Sequence, residues 1–254
     1  MSLLSLEGVG HTYFTKDMAV TAISDISLSV EEGEFISFLG PSGCGKTTLL
    51  SIIAGLIEQT EGKVLLGGKP IEDARDDIGY MLQQDYLFPW KTIEENVLIG
   101  LKLTKKLTPE RRARALKLLQ DIGLPGVEKK LPKQLSGGMR QRAALARTLT
   151  AEPKVLMLDE PFSALDYQSK LKLEDLVLST LKGLGKTAIL VTHDIGEAIA
   201  MSDRIYLFSA SPGRIHKVFH IPDELRKLQP FETRNHESYG KLFKEIWKEL
   251  ESLE

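Results

Sequence analysis

A chain of 254 residues with 33 basic and 35 acidic side chains, a formal net charge of −2, has room for one large domain with subdomains but not for two unrelated enzymes. That balance lacks the electrostatic footprint of a protein that wraps nucleic acid or adheres to an anionic membrane. No apolar run approaches the roughly 18 to 20 residues that span a bilayer, and "MSLLSLEGVGHTYF" has neither the basic region nor the long apolar stretch of a secretory signal, so a soluble, cytosolic protein is expected.

The first 35 residues hold short alternating runs. In "AISDISLSV" the apolar positions Ile23, Ile26, Leu28 and Val30 predict strand, closed by the turn residues "EEGE". The pattern then changes. "FISFLG" reads as a buried strand, "GPSGCGKTT" as a glycine-rich loop and "TTLLSIIAGL" as an apolar helix, the strand–loop–helix unit of nucleotide-binding α/β folds. Gly40, Gly45, Lys46 and Thr47 match G-x-x-x-x-G-K-[ST]. In such a loop, Gly40, Pro41, Ser42, Gly43, Cys44, Gly45 and Thr48 supply curled backbone whose N–H groups point at phosphate oxygens, Lys46 neutralises β/γ charge, and the Thr47 hydroxyl ligates Mg2+. Cys44 is the single cysteine, so no internal disulfide exists, and its expected role is that of a small packing residue.

A turn-rich β piece follows at "GKVLLGGKPI". Between about Gln84 and Ala151 the pattern becomes helical: "RRARALKLLQDIGL" sets Ala115, Leu118, Leu119 and Ile122 on one face and ends at Gly123, which suits a helix C-terminus. Within this insertion "QLSGGMRQR" opens a further helix with two glycines, a second arrangement able to bring backbone N–H groups to an anion. Read alone, Ser136 is an N-cap.

"KVLMLDE" and "TAILVTH" are almost wholly apolar, as parallel strands covered on both faces are. The first ends in Asp159 and Glu160. Paired acids at a strand end suit Mg2+ binding by Asp159 and polarisation of an attacking water by Glu160, with an exposed acidic strand end as the plain alternative. His193 ends the second run, and parallel strands present ligand-binding groups at their carboxyl ends, which suits a γ-phosphate contact. A glutamine in "GYMLQQDYLFPW" could reach the metal or water, though spacing alone does not choose between Gln83 and Gln84. Beyond Ser209 a turn, a strand and polar linker lead to "HESYGKLFKEIWKELESLE", where Tyr239, Leu242, Phe243, Ile246, Trp247 and Leu250 at helical spacing predict a helix docked on the core. No internal repeat or low-complexity segment is present.

"GPSGCGKTT", "LSGGMRQR", "LMLDEP", "SALD" and "VTHD", in this order and spacing, resemble the ATPase subunits of ATP-binding cassette (ABC) transporters over nearly the whole chain. The resemblance implies an α/β fold: a P-loop NTPase core with a mixed, largely parallel sheet, an N-terminal antiparallel β subdomain and a helical insertion. It implies one ABC ATPase domain over 1–254, with core and β subdomain at 1–84 and 152–208, the helical signature subdomain at 85–151, and a C-terminal strand, linker and helix at 209–254. ATP and Mg2+ are the implied cofactors. Two cassettes pair head to tail in this family, so Ser136, Gly137 and Gly138 of one subunit cap the ATP held by the phosphate loop of the other.

The same resemblance gives Tyr13 the site that stacks on adenine, although a lone tyrosine also reads as core. It makes Gln83 the glutamine joining the catalytic core to the helical subdomain, with a place among the catalytic and metal-binding groups beside Glu160 and His193, and Asp166 the aspartate bridging subunits. Met139, where glutamine is the familiar residue, together with "LFPW" and "SASPGRI", resembles the importer branch for nitrate, alkanesulfonates and taurine. The implied partners are a second copy, an integral membrane permease and, indirectly, a solute-binding protein, with no nucleic acid, at the inner face of the cell membrane. In that family the segment after Gln83 lines a groove for a permease helix, which would leave Tyr86, Leu87, Phe88 and Trp90 exposed, unless they fold inward as expected for Leu87. A soluble ABC ATPase acting on DNA or the ribosome is the rival reading, but such relatives carry a coiled-coil arm or two cassettes. A P-loop kinase leaves "LSGGMRQR" and His193 without work.

Overall fold

The computed structural model describes residues 2–16 and 18–253. Four strands, β1 (Leu4–Phe14), β2 (Ala19–Val30), β4 (Glu61–Leu66) and β5 (Lys69–Pro70), form an antiparallel sheet in the order β2-β1-β4-β5. Leu4 pairs with Val30 and Leu66, and Leu6 with Leu28 and Val64, so the period-two apolar positions of three strands meet on one buried face. Ile23 and Ile26 are three apart yet both buried. Asp25, at φ 54°, and a register shift between Val9 and His11 absorb the extra residue.

In the second sheet β3 (Phe35–Leu39), β6 (Ile78–Met81), β7 (Val155–Asp159), β8 (Thr187–Thr192) and β9 (Arg204–Phe208) are mutually parallel, and β10 (Ile215–His220) pairs antiparallel with β9. The strand order is β10-β9-β3-β8-β7-β6. Every residue of β3, β7 and β8 is buried, which explains their unbroken apolar runs. Ile36, Phe38, Met157, Ile189 and Val191 point toward the antiparallel sheet and α1 (Lys46–Ile53). Phe35, Leu156, Leu158, Ala188 and Leu190 point to the opposite layer of helices.

That layer contains α2 (Ile93–Val97), α3 (Ile99–Leu103), α4 (Pro109–Asp121), α5 (Gly137–Thr150) and α6 (Tyr167–Gly183). Residues 84–92 precede the first of these helices and form no regular element. Thr108 caps α4, Pro109 occupies its first turn, and Gly123, at φ 73°, ends it by adopting a conformation that side chains disfavour. Ala115, Leu119 and Ile122 are buried against α5 and its neighbours, with Leu118 at the margin.

The remaining helices are α7 (Ile195–Met201), α8 (Asp223–Arg226), α9 (Pro230–Thr233) and α10 (Glu237–Glu251). Leu242 and Ile246 of α10 enter a cluster with Ile199, Leu207 and Phe219, while Tyr239, Phe243 and Leu250 pack at its edge. Trp247 departs from the expected docking face. It is 53 % exposed and stacks on Phe243, because one residue beyond Ile246 the helix has turned it about 100° away from the core. No helix among the described residues is long and apolar enough to cross a membrane.

Candidate functional site

Parallel register brings three strand ends to one edge: Leu39 pairs with Thr192, and Asp159 with Val191. The loop after β3 turns at Gly40, where an added Cβ would stand 2.7 Å from the Phe208 carbonyl oxygen. It closes at Gly45, whose φ of 87° and 2.4 Å approach of a Cβ to Ile23 Cγ2 leave room for no side chain. Gly45 is also the N-cap of α1 and offers no side-chain acceptor, so the first N–H groups of that helix open into the loop. The Lys46 ammonium, buried, donates to the Gly40 and Pro41 carbonyls at 2.8 and 2.9 Å and lies 3.4 Å from Cys44 Sγ. Cys44 is fully buried, as its packing role requires.

Ala22, Ser42, Gly43, Gly45, Lys46, Thr47, Thr48, Glu160 and His193 line one cavity of about 270 Å³. Gly40, Pro41 and Cys44 support it from behind. A larger cavity of about 550 Å³, bordered by α4 and Leu184, contains none of the expected site residues. The smaller one is the candidate site, because it joins the backbone of the phosphate-type loop to Lys46, Glu160 and His193.

Asp159 is buried beneath Thr47. Burial raises its pKa; the hydroxyl of Tyr80, which donates to Oδ2 at 3.2 Å, opposes the rise, the charge of Glu160 adds to it, and Lys46 and Thr47 lower it. The same burial, together with the Asp159 charge and hydrogen bond, pushes the Tyr80 phenol well above its ordinary value. A desolvated carboxylate beside a hydroxyl fits a hard cation. Among the described residues no group of three or more His, Cys, Asp or Glu could hold a metal.

Glu160 has φ 46°, sparsely populated for a residue with a side chain, and its N–H donates to Val191 O at 2.9 Å. Its Oε2 reaches His193 Nδ1 at 3.3 Å. Ser163 donates to the Glu160 carbonyl at 3.0 Å and accepts from Gln83 Nε2 at 3.1 Å. The two glutamines are thereby distinguished. Gln83 reaches the Glu160 loop without lining the cavity, whereas Gln84 borders a separate recess with Gly137 and Ala164.

Tyr13 is 44 % exposed, its hydroxyl 3.3 Å from Thr48 Oγ1 and its ring edge-on to His11, so it stands beside the loop and is not core. Ser136 caps α5 by accepting from Met139 N at 3.3 Å, and Asp166 caps α6 by accepting from Ser169 N at 3.0 Å. Neither these two nor Gly137 and Gly138 line the candidate cavity. An added Cβ at Gly138 would meet nothing within 4 Å, so this fold does not itself require that glycine.

The loop 83–88 is fastened to α5. Gln141 donates to Gln83 O at 2.9 Å, Arg140 pairs with Asp85 at 2.9 Å, and Arg147 donates to the Asp85 and Tyr86 carbonyls at 2.8 and 2.7 Å. Leu87 is buried, Phe88 is half-buried edge-on to Trp90, and Tyr86 and Trp90 face outward, Trp90 at 72 % exposure. Tyr80, Ser163 and these α5 side chains were not expected from sequence. The only signal for the last was the basic run after "LSGG".

The "ABC transporter" family model matches residues 23–163. The chain is 64 % identical over 254 residues to the uncharacterized ABC transporter ATP-binding protein YtlC of Bacillus subtilis (strain 168), covering 100 % of this chain and 98 % of that protein. It is 40 % identical over 240 residues to the aliphatic sulfonates import ATP-binding protein SsuB of a Bacillus cereus strain, covering 94 % and 92 %. Among solved structures, the dimeric post-hydrolysis state of the ATP-binding cassette MJ0796 bound to ADP and Pi superposes with a TM-score of 0.74 at 33 % identity, covering 86 % of this chain and 99 % of that one.

Proposed function

The chain belongs to the ATP-binding subunits of ABC transporters, whose ATP hydrolysis is coupled to transport, and from that premise we propose that it works as one half of a head-to-tail pair driving import of a small anion through a membrane permease. The observation that carries this reading is the division of the site within one chain. Phosphate loop, Glu160 and His193 share a cavity, while Ser136, Gly137 and Gly138 lie off it with open space at Gly138. A second copy supplies what the cavity lacks.

In this reading the loop N–H groups and Lys46 bind the β- and γ-phosphates, and Tyr13 stacks on the adenine. Thr47 and Asp159, with Gln83 nearby, offer oxygen donors suited to Mg2+, which when bound neutralises charge across the β- and γ-phosphates. Glu160 accepts a hydrogen bond from the attacking water and orients it in line with the γ-phosphorus. His193 holds Glu160 on one side and a γ-phosphate oxygen on the other. The partner's Ser136 hydroxyl and α5 N-terminus add donors to the same phosphate, so loss of that phosphate weakens the pairing. Asp166 stands at the seam between the two copies.

Exposed Tyr86 and Trp90 offer aromatic anchors for a permease segment, and the fastening of their loop to α5 gives a path from that contact to Ser136. The work is done at the cytoplasmic face of the membrane. Met139 and the likeness to a sulfonate importer's ATPase favour a solute of the nitrate, sulfonate or taurine type. Uptake of labelled taurine or an alkanesulfonate into proteoliposomes carrying the whole transporter tests that class. Uptake of a sugar with none of a sulfonate contradicts it.

Mixing two inactive variants tests the shared site. Lys46→Ala and Ser136→Arg together form one composite site with an intact loop facing an intact signature, and should regain part of the ATPase rate or at least ATP-dependent pairing. Recovery of neither, with Ser136→Arg active alone, contradicts the reading.

A further inference from the structure

Behind the edge that carries Glu160 and His193 lies a group of charged side chains that the roles above leave unused. The Lys170 ammonium on α6 stands 2.6 Å from Asp194 Oδ2 and 2.6 Å from Glu197 Oε1. Asp194 caps α7, its Oδ1 accepting from Gly196 N at 2.7 Å and Glu197 N at 3.1 Å. Buried Glu197 accepts the Thr192 hydroxyl, whose oxygen in turn accepts from Asp194 N at 3.0 Å. His193 therefore sits between two residues whose side chains are both fixed by this group.

One turn along α6, Glu174 is fully buried with Oε2 2.6 Å from Arg234 Nη2. Arg234 is the cation nearest this buried carboxylate, and both its charge and its hydrogen bond favour the ionised form. Arg234 follows α9 and belongs to the C-terminal segment. Tyr239 of α10 closes on the same place: a Cβ on Gly196 would stand 2.9 Å from its hydroxyl and 3.8 Å from Arg234 Nε.

Glu174 faces Arg234 from the C-terminal segment, Glu197 of α7 and Lys170 on its own helix, and its charge is also felt by Tyr239 of α10. Fully ionised, the group sets Glu174, Asp194 and Glu197 against Lys170 and Arg234, three negative charges against two positive. Burial pushes the Glu174 pKa up to about 7, with Arg234 opposing the rise. Without Arg234 one cation remains for three carboxylates, two of them buried. Lys170 and Glu174 are four residues apart on one helix face, so an ionised, unpaired Glu174 competes for the Lys170 ammonium and draws it from Asp194 and Glu197.

We propose that Arg234 is a positioning residue for ATP hydrolysis: by neutralising Glu174 it leaves Lys170 free to hold the Thr192–Asp194 turn, and the C-terminal segment thereby sets the orientation of His193. The inference rests on the role given to His193 above. It also fixes a sign. A protonated Glu174 does not compete for Lys170, and loss of Arg234, which holds the Glu174 pKa down, moves that protonation to higher pH, so the harm emerges only as pH rises past the pKa so raised.

The test compares kcat, KM for ATP and melting temperature of the full chain at about pH 6 and about pH 9.5, the upper value set for a Glu174 transition that loss of Arg234 moves upward and still below the titration of Lys170, whose carboxylate partners hold its proton. Arg234→Met should lower kcat no more than about threefold at the acid value and about tenfold or more at the alkaline one, with KM within about twofold of wild type. Arg234→Lys should restore the rate, and adding Glu174→Gln to Arg234→Met should remove the extra alkaline loss. A kcat unchanged at both values, or a loss equal at both, overturns the inference. So does a loss that Glu174→Gln leaves in place or that follows melting temperature alone. If Arg234→Met does not fold, Arg234→Gln, which removes the charge and keeps a polar side chain, takes its place in the same comparison. His193→Ala measured in parallel separates the two claims: if it retains full kcat the role of His193 fails, whereas its loss beside an unaffected Arg234→Met sinks only the positioning role.

Discussion

Glu160 Oε2 stands 3.3 Å from His193 Nδ1, a contact that joins the carboxyl ends of the neighbouring parallel strands β7 and β8. Backbone reinforces it: the Glu160 N–H donates to Val191 O, and its φ of 46° turns the side chain toward the phosphate loop's cavity. A conformation disfavoured for a glutamate persists here because the surrounding bonds over-determine it.

Removing the imidazole should therefore free the carboxylate without disturbing the phosphate loop. His193→Ala is expected to bind ATP within about twofold of wild type and to lose about 10²-fold or more in kcat, the scale of a positioned acid–base or electrostatic group. Fluorescent-nucleotide titration and steady-state hydrolysis check this. Loss of binding in step with rate would mean that the histidine builds the cavity rather than the reaction.

Two glycines in similar-looking loops are needed for opposite reasons. Gly45→Ala forces a side chain into φ 87° and onto Ile23, and should lower the melting temperature by about 5 °C or more. Gly138→Ala meets nothing within 4 Å and lies in a helix that prefers alanine, so melting should stay level or rise slightly while ATP-driven pairing and hydrolysis fall about tenfold or more. Calorimetry on both variants decides. A destabilised Gly138→Ala would tie that glycine to its own chain's fold.

Much of this architecture could be read from the residues. "FISFL", "VLMLD" and "TAILVT" are apolar without interruption because both faces of those strands are covered, and parallel strands must present their following loops at one edge. The separation of Ser136 from the phosphate loop was not legible in the motifs themselves, because both are glycine-rich helix starts; it came from the family resemblance. Tyr80 on Asp159, Lys170 on Asp194 and Arg234 on Glu174 are pairings across 79, 24 and 60 positions that no local pattern announces. Gln83 and Gln84 are adjacent and chemically identical, so it takes the fold, with Ser163 beside the one and Gly137 and Ala164 beside the other, to separate them.

Trp90, at 72 % exposure, touches Phe88 edge-on, and the loop is held from the other side by α5. Trp90→Ala should leave melting temperature and the isolated chain's ATPase rate nearly unchanged while lowering ATP-driven uptake by the assembled transporter about tenfold, as loss of an aromatic anchor does. A drop of several degrees with matching loss of basal hydrolysis would make Trp90 a packing residue and move the permease contact elsewhere.

The central claim is that two copies of this chain complete one ATP site. Light scattering on Glu160→Gln measures it most directly, since the amide keeps the shape of the site and removes only the carboxylate that orients water. With ATP and no free Mg2+ the variant should run at twice the monomer mass and return to monomer when ATP is withdrawn. A single monomer mass with and without ATP, in a variant that still binds nucleotide, would contradict the shared site.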